Sequence, residues 1–400
     1  MIKPTLFGYG ITTKAIAKKL GGECIFFDDK AETPYTDKDN NKIFPSHLFD
    51  PIKSKLEVTT PSVPPSHPLI KSAKNLQSEY DYFSKDMPFS IWISGTNGKT
   101  TTTQMLGKLL EKRGGVTGGN IGTPLAELDP KAPIWILESS SFTLHHTNIA
   151  SPNIYLLLPI TPDHLDWHVT PAQYEADKLK PLLTMKEGEM ALIPKGLNLP
   201  KTDAFVVEYD SVEFLENYFD IDSSKIRFKS AFLEDALLAL AVTKTLFDEV
   251  DYDTINSFTL DNHRQEEITD SKGRVWVNDS KATNLDATIQ AVKGYSDKFI
   301  RLIIGGNDKG ADLTPLFELL EDIEIKLYTI GANSDRLAKL SEEHNIKFSA
   351  CETLESAVNK IDKDYIANDI ALLSPAAASF DQFNSYKHRG EEFFKFVKKI

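Results

Sequence analysis

The residues with the clearest chemistry form a glycine-containing turn that ends in lysine and threonine, Gly95-Thr96-Asn97-Gly98-Lys99-Thr100-Thr101. Backbone N–H groups at Gly95 and Gly98 can close around phosphate oxygens at a helix N-terminus, which favours anions. Lys99 is then expected to reach the β- and γ-phosphates, and the Thr100 hydroxyl to bind Mg²⁺. The turn therefore predicts a nucleoside triphosphate site. Because Ile93 stands where the complete phosphate-loop pattern has a glycine, an ordinary strand-to-helix turn is the alternative.

Further candidate ligands follow two apolar runs downstream. The run 134–137 ends in Glu138, and a buried strand that ends in one acid can deliver a carboxylate to a Mg²⁺-nucleotide. The run 154–158 leads into two aspartates and two histidines within six residues, Asp163-His164-Leu165-Asp166-Trp167-His168. Such a cluster fits either a metal neighbourhood or a hydrogen-bonded turn.

The elements that must position these residues follow from the hydrophobic pattern. Apolar residues 91–93 predict a strand into the turn, and helical spacing predicts a helix after it to about Glu111. We expect a linker over 81–88, a glycine-rich loop over 114–122 and a short connection over 256–261. Helices are predicted over 171–183, which carries Lys178, and over 231–247.

The N-terminus carries half of a dinucleotide-binding fingerprint. Residues 5–7 predict a strand, Gly8-Tyr9-Gly10 a turn, 12–20 a helix, and 23–27 a second strand that leads to Asp28 and Asp29. The third glycine is missing, because Thr13 stands there. From these residues alone, an NAD site, a site for another diphosphate nucleotide and a plain strand-to-helix turn all stay open.

The C-terminal third repeats one strand–loop–helix pattern three times. Its strands are predicted at 274–277, 299–304 and 370–373, and its polar loops at 278–284, 305–310 and 374–380, each followed by a helix. Such units build a parallel sheet whose loops share the carboxyl edge, where ligands bind. A merely solvated edge is the alternative. The polar candidates gathered at this edge are Asp279, Lys281, Thr283, Lys309 and Ser379.

Length and composition agree with a multidomain α/β protein. The 400 residues carry a formal charge of −13, spread along the chain, which argues against non-specific binding to nucleic acid or anionic membranes. Two cysteines cannot build a disulfide framework, the N-terminus lacks a signal-peptide pattern, and the apolar runs are too short for a membrane span. We expect a cytoplasmic monomer of three α/β domains: 1–86, 87–261 and 262–400.

Taken together, the motifs resemble those of the Mur ligase family of peptidoglycan synthesis, whose shortened phosphate loop accounts for Ile93. The further motifs in family order are Gly119-Asn120-Ile121-Gly122, Glu138-Ser139-Ser140-Ser141-Phe142, Asp163-His164-Leu165-Asp166, Lys178, His263-Arg264, 278–284, 373–383 and Arg389-Gly390. The resemblance runs from about Gly8 to Phe394 and is weakest in the first domain. It implies a Rossmann-like N-terminal domain, a central phosphate-loop domain and a Rossmann-like C-terminal domain.

The resemblance implies an ATP-dependent amide ligase that joins D-glutamate to UDP-N-acetylmuramoyl-L-alanine. ATP would phosphorylate the terminal carboxylate, and the amine of D-glutamate would attack the acyl phosphate. The implied cofactors are ATP, Mg²⁺ at two sites, and a carbamate on Lys178, whose oxygens a hard cation prefers to an ammonium. The alternative within the family is a ligase that adds another amino acid, such as a diamino acid, or one that adds glutamate to folate. A nucleotide-hydrolysing switch and a catalytically silent UDP-sugar-binding protein are rivals of other classes.

The resemblance also assigns residues to roles. The catalytic residues would be Lys99, His164 and Lys178, with Thr100, Glu138, His164 and Lys178 at the metal sites. The ATP site would comprise Gly95, Thr96, Asn97, Gly98, Lys99, Thr100, Thr101, Asn120, Arg264 and Asp279. The UDP-linked substrate would lie on Gly10, Ile11, Thr12 and Asp28, and D-glutamate on Lys281, Thr283, Lys309, Ser379 and Phe380, where Ser379 and the Phe380 N–H are expected to begin a helix.

Two segments depart from the family pattern. Where the family usually has Gly-x-His-Asn-x-x-Asn, this chain has Lys229-Ser230-Ala231-Phe232-Leu233-Glu234-Asp235, which keeps at best an acid at the last position. The usual Ser-Pro-Gly after the third N-terminal strand is Thr60-Pro61-Ser62. Adenine contacts and uracil contacts are therefore expected to differ from the usual family pattern.

Overall fold

The computed structural model describes residues 3–400, apart from the side chains of Leu165 and Asp166. The chain divides into two compact units: one extends to Phe228 and includes Phe232–Phe258, and the other comprises Lys229–Ala231 and Thr259–Ile400. Three six-stranded sheets form within the described residues. None of the described helices combines the length and apolarity that crossing a membrane requires.

The first sheet has the strand order β3-β4-β2-β1-β5-β6, with β3 antiparallel to β4 and the other pairs parallel. Buried Leu6, Phe26, Ile43 and Val58 form its core. The strands are β1 Thr5–Phe7, β2 Ile25–Asp28, β3 Tyr35–Thr36, β4 Lys42–Pro45, β5 Glu57–Val58 and β6 Leu76–Gln77. The helices are α1 Ile11–Lys19, α2 Pro68–Ser72 and α3 Glu79–Phe83.

The second sheet, in the same unit, is wholly parallel in the order β12-β11-β10-β7-β9-β8. Its central strands are buried on both faces, which explains their continuous apolar runs. The strands are β7 Phe89–Ser94, β8 Gly115–Gly119, β9 Ile134–Glu138, β10 Ile154–Leu157, β11 Met190–Pro194 and β12 Phe205–Tyr209. The helices are α4 Lys99–Leu110, α5 Ser141–His145, α6 Leu165–His168, α7 Pro171–Leu179, α8 Val212–Phe219, α9 Ser230–Phe247 and α10 Tyr252–Asn256.

The third sheet has the order β13-β14-β18-β15-β16-β17, and only β13 is antiparallel among its described strands. The strands are β13 Glu266–Thr269, β14 Val275–Asn278, β15 Ile300–Gly305, β16 Ile325–Ile330, β17 Lys347–Glu352 and β18 Ile370–Leu373. The helices are α11 Leu285–Gly294, α12 Thr314–Leu320, α13 Ser334–Glu343, α14 Leu354–Asp364 and α15 Tyr386–Val397. The predicted α/β class with parallel sheets is confirmed.

Three local predictions are wrong, and a fourth, the connection 256–261, is wrong only at its first residue. The predicted linker at 81–88 begins inside α3, because the Asp81 carboxylate accepts the N–H groups of Asn148, Ile149 and Ala150 at 2.8 Å each. The predicted glycine-rich loop at 114–122 contains β8, which pairs with β9 although its residues have low strand propensity. Asn256 is the last residue of α10 rather than the start of a connection. The last helix begins at Tyr386, so Ser379 and Phe380 lie in a turn.

Candidate active site

The phosphate loop lies at the carboxyl edge of the second sheet, between the ends of two neighbouring strands. In the strand register Ile93 of β7 pairs with Glu138 of β9, and Ser94 pairs with Leu157 of β10. The Ser139 N–H also donates to the Ile93 carbonyl at 2.8 Å. The loop, the acid at the end of β9 and the segment after β10 are therefore brought to one place, as the parallel topology predicts.

Two glycines allow the loop to pass close to its neighbours. Gly95 has a φ of +141°, and a Cβ there would lie 2.5 Å from Leu158 Cβ. Gly98 has a φ of +81°, and a Cβ there would lie 2.3 Å from Asp235 Oδ1. Asp235 also accepts the Thr102 hydroxyl at 3.0 Å. Asp235, the acid retained in the altered 229–235 segment, thus packs against the phosphate loop. Its position in the sequence did not predict this contact.

Loop side chains are held by hydrogen bonds within the loop and to the next strand connection. Thr96 Oγ1 donates to the Thr161 carbonyl at 2.9 Å and lies 3.1 Å from the Tyr174 hydroxyl. Lys99 Nζ donates to the carbonyls of Gly95 and Thr96 at 2.9 and 2.8 Å. The predicted phosphate ligands Asn97 and Thr100 are half-buried on the same turn, whereas Thr101 is buried.

Glu138 has one engaged and one unengaged carboxylate oxygen. Asn120 Nδ2 donates to Oε1 at 2.6 Å, and the Asn120 N–H donates to the Glu138 carbonyl at 2.9 Å. Oε2 is buried and has no hydrogen-bond partner among the described residues. A divalent cation would satisfy this buried oxygen, so the Glu138 side chain fits a metal ligand.

Lys178 is buried against the phosphate loop. Its Nζ donates to the Gly95 carbonyl at 2.6 Å, the same oxygen that Lys99 contacts, and lies 4.6 Å from the centre of the Tyr174 ring. Burial, reinforced by the positive charge of Lys99, lowers the Lys178 pKa well below its ordinary value. The neutral amine is therefore more accessible at this position than in an exposed lysine.

The cluster after β10 separates into two parts. His168 is buried, with Nδ1 2.7 Å from Asp177 Oδ2 and Nε2 2.9 Å from Ser141 Oγ. Burial opposes the ionisation of Asp177, but hydrogen bonds from His145 and His168 outweigh it and lower its pKa to about 2. His168 is therefore hydrogen-bonded, as one of the two interpretations of this cluster expected, but its partners Asp177 and Ser141 lie outside the cluster and were not predicted.

The predicted metal ligand His164 is joined to His168 through its backbone, because its carbonyl accepts the His168 N–H at 3.0 Å. Its ring is partly exposed, with Nε2 3.6 Å from Asp163 Oδ2 and its centroid 4.8 Å from that of Phe142. Within the described side chains, no group of three or more His, Cys, Asp and Glu is arranged to hold a metal ion. A metal at this edge would therefore need ligands beyond those residue types.

The first sheet shows why its turn lacks a third glycine. The Thr13 hydroxyl donates to the Gly8 carbonyl at 2.6 Å and accepts the Gly10 N–H at 3.2 Å, so the side chain closes the turn. Asp28 accepts the Tyr9 N–H at 2.6 Å and the Lys30 N–H at 2.8 Å. At the start of α1, Gly10 and Thr12 are half-buried and Ile11 is exposed.

In the other unit, the predicted nucleotide contacts Asp279 and Arg264 lie near the carboxyl end of β14. Asp279 is buried and accepts the Ser374 hydroxyl at 2.9 Å. Burial raises its pKa to about 7, while Ser374 and the Gln265 N–H oppose the shift. Arg264 lies mostly buried, with Nε 4.0 Å from Asp261 Oδ2.

The predicted amino-acid ligands follow the three adjacent strands β14, β18 and β15. The loops after β15 and β18 are joined by two hydrogen bonds of 2.9 Å between the backbones of Asn307 and Ala378. Lys281 Nζ lies 4.1 Å from the centre of the Tyr386 ring. Thr283, Lys309 and Phe380 are exposed, whereas Ser379 is buried.

The two cysteines, Cys24 and Cys351, are buried and free. Both lie in sheet cores, away from the strand edges described above. No redox or metal role for them follows from their surroundings.

The fold and the loop define a phosphate-loop α/β protein with three parallel-type sheets. Residues 93–205 match the family described as Mur ligase middle domain. A UDP-N-acetylmuramoylalanine–D-glutamate ligase of Campylobacter jejuni (strain 81-176) is 49% identical over 402 residues, covering all of both chains. The Helicobacter pylori (strain J99) protein of the same name is 43% identical over 421 residues with the same coverage. The chain belongs to the Mur ligase family.

A solved structure agrees at the level of the fold. The MurF ligase of Thermotoga maritima, in complex with ADP, has a TM-score of 0.57 and 14% identity, and the similarity covers 94% of each chain. The family resemblance expected from the sequence motifs is confirmed.

Proposed function

We propose that the protein is the ATP-dependent ligase that adds D-glutamate to UDP-N-acetylmuramoyl-L-alanine. The observation that carries this proposal is the match along the whole chain to D-glutamate ligases, combined with an intact phosphate loop beside Glu138 and Lys178. If the protein were a nucleotide-hydrolysing switch, the phosphate loop would be explained. The C-terminal unit would not, because three polar loops meet there at one sheet edge.

The chemistry requires a carboxylate to become an electrophile. Its oxygen attacks the γ-phosphorus of ATP, which releases ADP and forms an acyl phosphate. The D-glutamate amine then attacks the acyl carbon, loses a proton and expels inorganic phosphate, leaving an amide. Lys99 and the loop N–H groups stabilise the negative charge that moves through the phosphates. His164 is proposed to orient the amine or to take up its proton.

Mg²⁺ would be held by Thr100, Glu138 and His164, with Lys178 contributing as a carbamate. When bound, it would supply charge neutralisation at the phosphate oxygens. The unpartnered Glu138 Oε2 and the lowered pKa of Lys178 support this assignment. Carbamylation joins the nitrogen of the neutral Lys178 amine to the carbon of CO₂ and releases one proton, which replaces the amine by a carbamate whose two oxygens share one negative charge.

The residues proposed to bind the substrates lie on different sheets. We assign the UDP moiety to the first sheet, at residues 10–12 and Asp28, and D-glutamate to the loops that carry Lys281, Thr283, Lys309, Ser379 and Phe380. Asn120, Arg264 and Asp279 are assigned to ATP. The three-domain division at 86 and 261, a monomeric state and a cytoplasmic location are retained as part of the proposal.

Phosphate release with single omissions tests the function. The complete reaction contains ATP, Mg²⁺, UDP-N-acetylmuramoyl-L-alanine and D-glutamate, and we expect phosphate in proportion to amide formed. Release that persists without either the nucleotide-linked acceptor or the amino acid would favour the switch. Turnover with a diamino acid in place of D-glutamate would favour the rival ligase.

A further inference from the structure

Arg389 has an unusual environment for an arginine. Its side chain lies in the first half of α15 and is 1% exposed, and no carboxylate of the described residues pairs with its guanidinium. The Nε and one terminal nitrogen donate to the Ser280 hydroxyl and carbonyl at 2.9 and 2.8 Å. The other terminal nitrogen donates to the Ala377 carbonyl at 3.1 Å.

These three hydrogen bonds connect two of the loops assigned to D-glutamate. Ser280 directly precedes Lys281 in the loop after β14, and Ala377 lies two residues before Ser379 in the loop after β18. The Ser280 hydroxyl also donates to the Tyr386 carbonyl at 2.8 Å, where α15 begins. A planar guanidinium with fixed donor directions can hold both loops in one register, which a lysine ammonium cannot do.

The next residue, Gly390, fixes a third segment. A Cβ at Gly390 would lie 2.3 Å from His263 Nδ1, so only glycine admits the histidine ring at this distance. Asn278 Nδ2 donates to His263 Nδ1 at 3.0 Å and to the Gly390 carbonyl at 3.1 Å. The His263 carbonyl in turn accepts the Lys281 N–H at 3.1 Å.

The acid at the start of the same loop has separate anchors. The Asp279 N–H donates to the Leu373 carbonyl at 2.8 Å, and its carboxylate accepts the Ser374 hydroxyl. Neither contact involves Arg389. Loss of the arginine should therefore displace Lys281 and Ser379 more than Asp279.

We propose that Arg389 is a positioning residue that sets the spacing between the Lys281 and Ser379 loops and thereby the affinity for D-glutamate. The inference rests on the proposed function, because it takes these loops to be the amino-acid site. Arg389 reaches the substrate only through backbone and Ser280, so its effect should be confined to the amino acid.

The test compares Arg389→Lys with a matched variant, Arg301→Lys. Arg301 is also a buried arginine of this unit, but it contacts Asp369 at 2.6 Å and Tyr328 at 3.0 Å at the opposite edge of the sheet. Both variants should lower the melting temperature. Only Arg389→Lys should raise the KM for D-glutamate, by about tenfold to a hundredfold, with the KM for ATP changed less than about threefold.

A second variant guards against misfolding of the first. Ser280→Ala keeps the arginine and removes one of its acceptors, and it should raise the KM for D-glutamate by roughly threefold to tenfold. Equal KM values for D-glutamate in Arg389→Lys and Arg301→Lys, or a parallel rise for ATP, would overturn the proposal, as would an unchanged value in Ser280→Ala. Failure of the proposed function is distinct, because the unaltered protein would then release no phosphate with D-glutamate.

Discussion

At the scale of single residues, Lys99 tests whether the loop is the ATP site. We expect Lys99→Ala to lower kcat by at least about a hundredfold, because the ammonium stabilises charge that develops on the phosphates. The melting temperature should change little, since the Lys99 Nζ hydrogen bonds to the Gly95 and Thr96 carbonyls lie within the loop itself. Phosphate release and thermal unfolding measure the two effects. Lys108→Ala on the same helix is the control, because Lys108 Nζ contacts the Ser257 carbonyl instead.

The second prediction for a single residue is that Lys178 carries a carbamate. Lys178→Ala should be nearly inactive, and formate or acetate should restore part of the rate by supplying oxygen ligands. Protein equilibrated with ¹³CO₂ should show one carbamate resonance that disappears in Lys178→Ala and persists in Lys180→Ala. Because carbamylation releases a proton, the resonance should weaken as the pH falls. An unmodified ammonium in a map of the Mg²⁺-bound protein would falsify the assignment.

At the scale of secondary-structure elements, the strand–loop–helix unit depends on close approach at Gly98. We compare Gly98→Ala with Gly196→Ala, because both glycines have positive φ, +81° and +92°, and therefore share a backbone cost of about 1–2 kcal/mol. Only Gly98 would place a Cβ against Asp235, whereas Gly196 has open space. Gly98→Ala should lower the melting temperature further and weaken ATP binding by at least about tenfold. Equal effects in the two variants would show that the contact with Asp235 is unimportant.

Some strands and helices could be predicted from the sequence and others could not. The strand, loop and helix around Lys99 follow from local pattern alone, since apolar runs and glycines suffice to specify them. Strand β8 does not, because its glycines have weak strand propensity and pair only when β9 is present. Helix α3 was missed because its stability comes from Asp81 accepting N–H groups 67 to 69 residues away in sequence.

The candidate site was predictable to a similar extent. Residues at strand ends were placed correctly at the sheet edges, because parallel topology fixes where strands end. The His168–Asp177 contact depends on how two consecutive helices pack, and the contact of Asp235 with the phosphate loop joins segments far apart in sequence. No local pattern specifies either contact.

Helix α3 also gives a pH prediction. Burial raises the Glu79 pKa to about 8, whereas an unfolded glutamate has a pKa of about 4.3. The folded state thus binds the extra proton, so stability should fall as the pH rises between about 4 and 8. Glu79→Gln should remove this part of the slope and raise the melting temperature above that of the unaltered protein by about 2–4 °C at pH 8 or higher. Thermal scans across pH test this, with Glu208→Gln, at an exposed carboxyl of β12, as control.

At the scale of the whole molecule, the three sheets are proposed to bind three different reactants. Each sheet has loops at the carboxyl ends of parallel strands, but the loops differ in chemistry. The first offers a tight turn closed by Thr13, the second a phosphate loop with Lys99, and the third a set of lysines and hydroxyls. A ligation of three charged reactants requires separate donor sets of this kind, because each anion must be neutralised where it binds.

The choice of amino acid is the last prediction, and it depends on the third sheet. Glutamate has two carboxylates and one amine, and all three groups must fit when the amine faces the acyl carbon. Inverting the α-carbon exchanges two of these groups, so L-glutamate should give less than about a hundredth of the rate with D-glutamate. Phosphate release and the mass of the product measure turnover with each enantiomer. Equal turnover with the two enantiomers would contradict the assignment.

Substitution of Lys309 tests most directly whether the third sheet binds D-glutamate. Lys309 follows Gly305 and Gly306 at the end of β15, is exposed, and its ammonium has no hydrogen bond or ion pair with another described residue. If it binds a carboxylate of the substrate, Lys309→Ala removes ground-state binding, so the KM for D-glutamate should rise about tenfold or more while the KM for ATP stays unchanged. Ser379→Ala should act in the same direction more weakly. Lys298→Ala, an exposed lysine before the other end of β15, is the matched control and should leave both values unchanged. A rise in the KM for ATP alone would instead place Lys309 at the nucleotide.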